Sequence, residues 1–319
     1  MAVSATAPGK IILFGEHAVV YGQPAIAVPL SAVRARAVVS PGKPGQGLLI
    51  IAANLSRTIV VHPEPQEQEH ALAVAARLLL ARLQLPPPDF QVLLHSTIPV
   101  ASGLGSGAAA TAALLRALSL ALDRPIDPET LNLLVFEVEK LYHGTPSGID
   151  NTVVVYEQPV YFVRGQPVET FAIGAPVPVL VADSGVASPT HLAVSDVRKL
   201  YERDPQRIGA IFERIGAISR AARQAIACGD GGTIGSLARD NQALLRELTV
   251  SSPLLDDLIA AAEAAGAYGA KLSGGGRGGN LIALTPPDRV SQVADALVRA
   301  GAKRVIPTKL RKASFWSSG

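Results

Sequence analysis

The residues of this sequence best suited to chemistry are a glycine- and serine-rich stretch and a few charged side chains. The stretch Pro99-Val-Ala-Ser-Gly-Leu-Gly-Ser-Gly-Ala-Ala109 lies between a strand-like run and an alanine- and leucine-rich helical run. Glycine lets backbone N–H groups approach an anion closely, and a helix N-terminus adds a positive dipole. The stretch therefore indicates a phosphate-binding loop. A tight turn without a ligand is the alternative, and the stretch is not a P-loop because no Gly-Lys-Ser/Thr ends it.

Two carboxylates, Glu139 and Asp150, are suited to phosphoryl transfer. Glu139 lies in the last turn of a predicted helix, where an acidic residue opposes the helix dipole and calls for an external cation. Asp150 follows a Gly-Thr-Pro-Ser-Gly turn that could direct it toward the same pocket. Phosphoryl transfer needs one carboxylate near a divalent metal and another near a hydroxyl. Two ordinary acids on helix surfaces are the alternative.

Three further segments carry charged or glycine-rich patterns. Lys10 follows Pro8-Gly9 between two apolar runs and is either a solvated turn residue or a cation held at a site. The pair Glu16-His17, inside an apolar stretch bounded by glycines, belongs on a rim or at a functional position, unless His17 is an ordinary core histidine. Apolar segments enclose the glycine-rich residues 271–279 tightly, which predicts an ordered turn whose backbone closely approaches another group.

Short strands and then many helices must position these residues. We predict strands over 2–7, 11–14, 33–40, 90–95, 178–182, 280–284 and 304–307, and hairpins joining 48–52 to 58–61 and 160–163 to 168–171. Helices are predicted over 64–85, 106–122, 128–142, 190–203, 205–228, 231–248, 253–265 and 287–300. This pattern indicates a mixed α/β (α+β) protein with one domain over 1–175 and another over 176–319.

Composition narrows the class of protein. A chain of 319 residues that is 48% hydrophobic can bury two cores of ordinary size. The net charge of +3 includes no basic stripe with interleaved aromatic residues, so we expect no nucleic-acid partner. Cys228 is the only cysteine, which excludes an internal disulfide and a cysteine-based metal site. Without a membrane-length apolar run or a signal-peptide pattern, we expect a cytoplasmic protein with no membrane partner.

Together, four segments resemble the motifs of the GHMP kinase superfamily. Pro8-Gly9-Lys10 with residues 15–22 is similar to the first motif, residues 99–109 to the phosphate loop, and residues 271–279 to the third motif. The most specific segment, His143-Gly-Thr-Pro-Ser-Gly-Ile-Asp-Asn151, resembles the mevalonate kinase family and not the galactokinases. The resemblance spans almost the whole chain. It implies two α/β domains with the active site in the cleft between them.

The same resemblance implies the reaction and the residues that perform it. ATP and (R)-mevalonate would give 5-phosphomevalonate and ADP, with Mg²⁺ as cofactor. Asp150 would accept the proton from the C5 hydroxyl, and Lys10 would lie beside it and stabilise the transferring phosphoryl group. Glu139 and Ser106 would bind the metal. Mevalonate would contact Lys10, His17, Asp150, Ser273 and Gly274. ATP would contact Pro99, Val100, Ala101, Ser102, Gly103, Leu104, Gly105, Ser106, Gly107, Ala108 and Ala109.

Two departures from the family pattern and two other functions stay open. Gly107 stands where the family commonly has a second serine, which puts one magnesium ligand in doubt, and Arg277 interrupts the third motif and faces either solvent or a phosphate. A sibling kinase would act on phosphomevalonate or on another position of mevalonate. A nucleotide-binding regulator without activity should have lost Lys10 or Asp150, and both are present. A homodimer is a further expectation.

Overall fold

A computed structural model describes residues 2–99, 102–143, 146–188 and 190–311. Contacts within the chain group these residues into two units. The first unit contains the described residues of Met1–Lys10, Pro29–Val100 and Leu104–Glu157, and the second those of Ile11–Val28, Ala101–Gly103 and Gln158–Gly319. This grouping differs from the single boundary expected at 175. The chain passes between the units several times, because strands β1 (Val3–Phe14) and β2 (Ala25–Pro41) each contribute residues to both.

The first unit contains a sheet covered by helices. Its strands lie in the order β4–β3–β5–β2, where β3 is Leu48–Ala52, β4 is Arg57–Val61 and β5 is Phe90–Ser96. β3 pairs parallel to β5 and antiparallel to β4, so the predicted hairpin is confirmed. The helices are α1 (Ala71–Leu83), α2 (Ser106–Ala121), α3 (Pro128–His143) and α4 (Ile149–Tyr156). α2 is rich in alanine and leucine, and it packs against α1, α3 and α4.

Local side chains set where the helices near the candidate site begin. The carboxylate of Asp127 accepts a hydrogen bond of 2.8 Å from the backbone N–H of Thr130 and so caps α3. The hydroxyl of Ser147 accepts one of 3.3 Å from the N–H of Ile149 in the first turn of α4. Gly105 precedes α2 with φ 73°, a left-handed conformation that favours glycine. Asp127 therefore caps α3, whereas Ser147 lies one residue before Gly148, the N-cap residue of α4.

The second unit combines a four-stranded antiparallel sheet with five helices. The strand order is β11–β8–β10–β9, where β8 is Val177–Asp183, β9 is Gly269–Ser273, β10 is Asn280–Leu284 and β11 is Arg304–Leu310. The helices are α5 (Thr190–Arg203), α6 (Pro205–Cys228), α7 (Gly231–Glu247), α8 (Pro253–Ala264) and α9 (Val290–Arg299). β6 (Val160–Phe162) pairs with β7 (Glu169–Thr170) and with the first residues of β2. Every residue of β9 and β10 is buried.

Four sequence predictions were wrong in detail. β1 runs without a break through Pro8-Gly9-Lys10, because these residues are buried and extended, whereas separate strands were predicted over 2–7 and 11–14. β2 likewise continues through Pro29. α1 begins at Ala71 and not at 64, because the His70 side chain accepts the N–H of Leu72 and caps the helix there. β9 extends to Ser273, so the third glycine loop begins only at 274.

Short 3₁₀ turns complete the described fold, at Ala18–Tyr21, Ala53–Leu55 and Pro287–Arg289. In the described ranges, no helix is both long enough and apolar enough to cross a membrane.

Candidate active site

In the first unit, Lys10 and Asp150 form an ion pair. The Lys10 Nζ lies 3.1 Å from Asp150 Oδ1. The side chain of Lys10 is 8% exposed, whereas that of Asp150 is 30% exposed and open to a ligand. Asp150 is the second residue of α4, where the partial positive charge of the helix N-terminus favours a carboxylate. The structure thus brings together the two residues that the sequence analysis assigned to catalysis.

The glycine loop before α2 fixes the position of Lys10. The backbone N–H of Lys10 donates a hydrogen bond of 2.9 Å to the carbonyl of Leu104. A Cβ atom added to Gly105 would lie 2.7 Å from Lys10 Cγ, so only glycine leaves room for this lysine. Gly103, which is also left-handed at φ 74°, would meet nothing within 4 Å. The two glycines therefore differ in their surroundings, since Gly105 leaves room for Lys10 and Gly103 has open space beside it.

The other residues of the predicted ATP loop lie around the start of α2. Leu104, Ala108 and Ala109 are buried, whereas Ser106 and Gly107 form the partly exposed first turn. Gly107 lies within helix α2 and, unlike Gly103 and Gly105, does not have a left-handed backbone conformation. Val100 and Ala101 lie outside the described residues, as do Gly144 and Thr145 of the 143–151 segment.

Glu139, on α3, is a buried carboxylate beside this ion pair. Its pKa is raised from 4.5 to about 7, mainly by burial and also by the neighbouring Asp150 carboxylate, while Lys10 partly opposes the rise. A cavity of about 240 Å³ is lined by Glu139, Pro146, Ser147, Gly148, Asp150 and Asn151. Near neutral pH, Glu139 is therefore poised between a neutral acid and a carboxylate that requires a counter-charge.

The donors around this cavity match the chemistry of a magnesium ion. Mg²⁺ is commonly held by one or two carboxylates together with water and substrate phosphates, and not by a closed protein cage. Glu139 supplies one such carboxylate at the cavity, whereas the Asp150 carboxylate is paired with Lys10. Among the described residues no group of three or more histidine, cysteine, aspartate or glutamate side chains could hold a metal without further ligands.

In the second unit, Glu16 and Lys271 form a fully buried ion pair. The Nζ of Lys271 donates to Glu16 Oε1 and, at 2.7 Å, to the carbonyl of Leu272. Burial lowers the pKa of Lys271, and the negative charge of Glu16 counteracts this. The sequence pattern predicted Glu16 on a rim or at a functional position and Lys271 within a glycine-rich loop. The structure instead buries both and uses them to hold β9 to the segment after β1.

His17 lies next to this pair, with its ring against the third glycine loop. Its Nε2 donates a hydrogen bond of 3.1 Å to the carbonyl oxygen of Gly275. Because a carbonyl oxygen can only accept, the single proton of the neutral ring lies on Nε2, and Nδ1 carries none. This Nδ1 is buried and has no hydrogen-bond partner among the described residues. Burial lowers the pKa of His17 to about 4, with Arg277 and Lys271 adding to the effect. At neutral pH, His17 therefore presents one acceptor nitrogen.

The other predicted residues of the third motif take different positions. The hydroxyl of Ser273 donates to the carbonyl of Ile12 at 2.7 Å, and Gly274 has φ 88° with open space around it. The Arg277 side chain is partly exposed and is held by two contacts within the second unit. Its Nη1 lies 2.6 Å from the carboxylate of Asp196 on α5, and its Nε donates to the carbonyl of Thr249.

Asn280, which the sequence analysis did not select, connects two of the glycine loops. It follows the third loop and is buried at the start of β10. Its side-chain N–H donates 2.6 Å to the carbonyl of Ser102. An asparagine at the start of an apolar strand was the only available signal.

Comparison with known proteins agrees with this geometry. Residues 70–158 match the GHMP kinases N terminal domain, and residues 219–303 match the GHMP kinases C terminal domain. The mevalonate kinase of Thermococcus sibiricus is 35% identical over 98% of this chain and 97% of its own length. That of Pyrococcus abyssi is 36% identical, with coverage of 97% and 96%. The chain belongs to the mevalonate kinase family.

Structural comparison confirms the family and the fold class. A crystal structure of L. major mevalonate kinase in complex with R-mevalonate superimposes with a TM-score of 0.83. The two sequences are 28% identical, and the match covers 98% of this chain and 96% of that one. Membership of the mevalonate kinase family confirms the resemblance that was read from the four sequence motifs.

Proposed function

We propose that this chain transfers the terminal phosphoryl group of ATP to the C5 hydroxyl of (R)-mevalonate. The observation that carries the proposal is the Lys10–Asp150 ion pair, seated on the glycine loop that precedes α2. Relatives of similar length are named mevalonate kinase, and the L. major structure is described as a complex with R-mevalonate. These names support the kinase reading over a regulator without activity.

Asp150 and Lys10 divide the work at the reacting hydroxyl. The exposed face of Asp150 accepts a hydrogen bond from the hydroxyl, orients it and takes its proton as the new P–O bond forms. Lys10 stabilises the negative charge that spreads over the transferring phosphoryl group. Because Lys10 is held by Leu104 and Gly105, it needs little reorganisation during the reaction.

The remaining contacts of the substrates are assigned as follows. The N–H groups at the start of α2 and the loop from Pro99 to Ala109 contact the phosphates of ATP. His17 Nδ1 accepts a hydrogen bond from a hydroxyl of mevalonate, and Ser273 and Gly274 also contact mevalonate.

Glu139 and Ser106 would hold Mg²⁺, and the buried carboxylate with its raised pKa supports this assignment. When bound, the ion neutralises charge on the phosphate oxygens of ATP. A cytoplasmic location, a homodimer and the absence of a nucleic-acid partner stay predictions.

A substrate panel tests the proposal. Purified protein with ATP and Mg²⁺ should release ADP with mevalonate, and not with phosphomevalonate, homoserine or galactose. Phosphorus NMR should show a 5-phosphate ester. Turnover of phosphomevalonate alone, or an ester at C3, would replace the proposal with that of a sibling kinase.

One substitution tests the assignment of the base. Asp150→Asn keeps the size of the side chain and removes its charge, so kcat should fall at least about a hundredfold while ATP affinity changes little. Near-normal turnover of a folded Asp150→Asn protein would show that the site is assigned wrongly.

A further inference from the structure

Three charged side chains form a second ion-pair cluster in the first unit, and the proposed reaction does not use it. We call Arg34, Arg116 and Glu157 the Arg–Glu–Arg cluster. Arg34 binds the Glu157 carboxylate with two nitrogens, Nη1 to Oε2 at 3.0 Å and Nη2 to Oε1 at 2.9 Å. Arg116 Nη1 lies 3.2 Å from the same Oε1. One carboxylate is therefore shared by two guanidinium groups.

The cluster also hydrogen-bonds to the backbone of the elements that carry the catalytic residues. Arg116, on α2, donates to the carbonyl of Thr6 on β1 at 2.9 Å and to that of Val155 on α4 at 2.5 Å. Arg34 Nε donates to the hydroxyl of Thr6 at 3.0 Å. β1 carries Lys10, α4 carries Asp150, and α2 follows the phosphate loop. The cluster thus joins all three.

The Arg–Glu–Arg cluster persists although burial of Arg116 and the backbone conformation of Glu157 are both energetically unfavourable. Arg116 is only 5% exposed, and a buried guanidinium is tolerated when it is paired and hydrogen-bonded. Burial lowers its pKa to about 10, so it stays charged at neutral pH. Glu157 has φ 53°, a left-handed conformation that is strained for glutamate and ends α4. Its carboxylate is nevertheless held by both arginines.

We propose that the Arg–Glu–Arg cluster sets the relative positions of Lys10, Asp150 and the start of α2, so that its members are positioning residues for phosphoryl transfer. Thr6 lies four residues before Lys10 on a strand, a distance of about 13 Å. Val155 lies five residues after Asp150 on a helix, about 8 Å away. Strands and helices are stiff over such lengths, so a shift at the cluster moves the ion pair. This inference rests on the proposed function.

Two variants and a matched control test the cluster by kinetics. Glu157→Gln and Arg34→Gln remove its charges at the less buried end, where the protein should still fold. In each variant, the kcat calculated per ATP-binding site should fall at least about tenfold, because small misplacements of the reacting groups slow the chemical step strongly. The KM values for ATP and for mevalonate should stay within about twofold. The double variant should be no worse than the more damaging single one, because the residues act as a unit. Arg34→Lys, which keeps the charge, should be intermediate.

The control is Glu69→Gln, which breaks another partly buried pair of the first unit, Arg77 Nη2 to Glu69 Oε2 at 2.8 Å. It should lose stability without losing kcat. Unchanged kcat per site in both cluster variants, or an equal loss of kcat in Glu69→Gln, would overturn the inference.

A second readout does not depend on mevalonate. Acylation of Lys10 by an amine-reactive ester, followed by peptide mass spectrometry, should be about fivefold faster in Glu157→Gln, because the pair with Asp150 is loosened. Lys199 of the second unit, whose side chain is 60% exposed, is the internal reference, and its rate should not change. Equal Lys10 rates in wild type and Glu157→Gln would contradict the inference. If the wild type fails to phosphorylate mevalonate while Lys10 still responds, the proposed function fails and the positioning role stands.

Discussion

Replacing Glu139 with glutamine should stabilise the metal-free protein and damage the enzyme. The folded state raises the pKa of Glu139 from its ordinary 4.5 to about 7, mainly by burial. The folded protein therefore binds a proton at Glu139 more tightly than the unfolded chain does. The contribution of Glu139 to the free energy of unfolding is fully present below about pH 4.5 and is lost as the pH rises through about 7. Glutamine has the same shape, carries no charge and avoids the loss.

The size of the effect follows from the two pKa values. Each pKa unit corresponds to about 1.36 kcal/mol, so the interval from 4.5 to about 7 gives about 3 kcal/mol. In a chelating buffer near pH 8, we therefore expect Glu139→Gln to have a free energy of unfolding about 3 kcal/mol above that of the wild type. Near pH 4.5, where wild-type Glu139 is largely protonated, the two proteins should differ little.

Urea unfolding at these two pH values measures both differences. A parallel series with Mg²⁺ should raise the wild-type stability near pH 8 and leave Glu139→Gln nearly unchanged, because a ligand stabilises only the state that binds it. The variant should also need far more Mg²⁺ for turnover. A stability difference that is the same at both pH values would refute the argument from burial. Wild-type magnesium dependence in Glu139→Gln would remove this residue from the metal site.

Three further predictions concern the glycine loops, the first of them with a matched control substitution. Gly105→Ala should lower kcat strongly, because the added Cβ would displace Lys10. Gly103→Ala has the same backbone strain of about 1 kcal/mol but no such clash, so it should keep its kcat. Equal kcat values in the two variants would contradict the argument that Gly105 makes room for Lys10. Gly107→Ser should fold normally, because position 107 is helical. A Mg²⁺ titration at fixed ATP should show a modestly tighter apparent affinity. A weaker affinity would show that the serine hydroxyl at position 107 is not a metal ligand. Arg277→Ala removes the ion pair with Asp196 and should lower the free energy of unfolding by up to about 1 kcal/mol. The KM values for ATP and for mevalonate should stay within about twofold. A large rise in either KM would place Arg277 at that substrate.

Local patterns predicted the helices of the second unit closely. α6 and α8 begin where the sequence placed them, because Asp204 and Ser252 accept backbone N–H groups at the caps and proline follows each. β1 was divided wrongly, because Pro8-Gly9-Lys10 has the composition of a turn. Only tertiary burial keeps these three residues extended, and burial cannot be read from a short segment.

The candidate site was predictable to a different degree. The motifs selected Lys10, Asp150 and Glu139, and the structure places these three together, yet their roles came from a family resemblance and stay proposals. The partners of Arg116 and Lys271 could not be predicted. Their contacts join residues far apart in the chain, and no local periodicity records such pairs.

The buried pair of Glu16 and Lys271 has a consequence for the order of synthesis. The two residues are 255 positions apart, and both belong to the second unit. At about 5–20 residues per second, a ribosome needs about 13–50 s to reach Lys271 after adding Glu16. Through that interval, Glu16 and the apolar segment around it lack their final neighbours, although the last residue of the first unit, Glu157, has long been added. The Glu16 carboxylate therefore cannot be paired and buried as in the folded protein until synthesis of the chain is nearly complete.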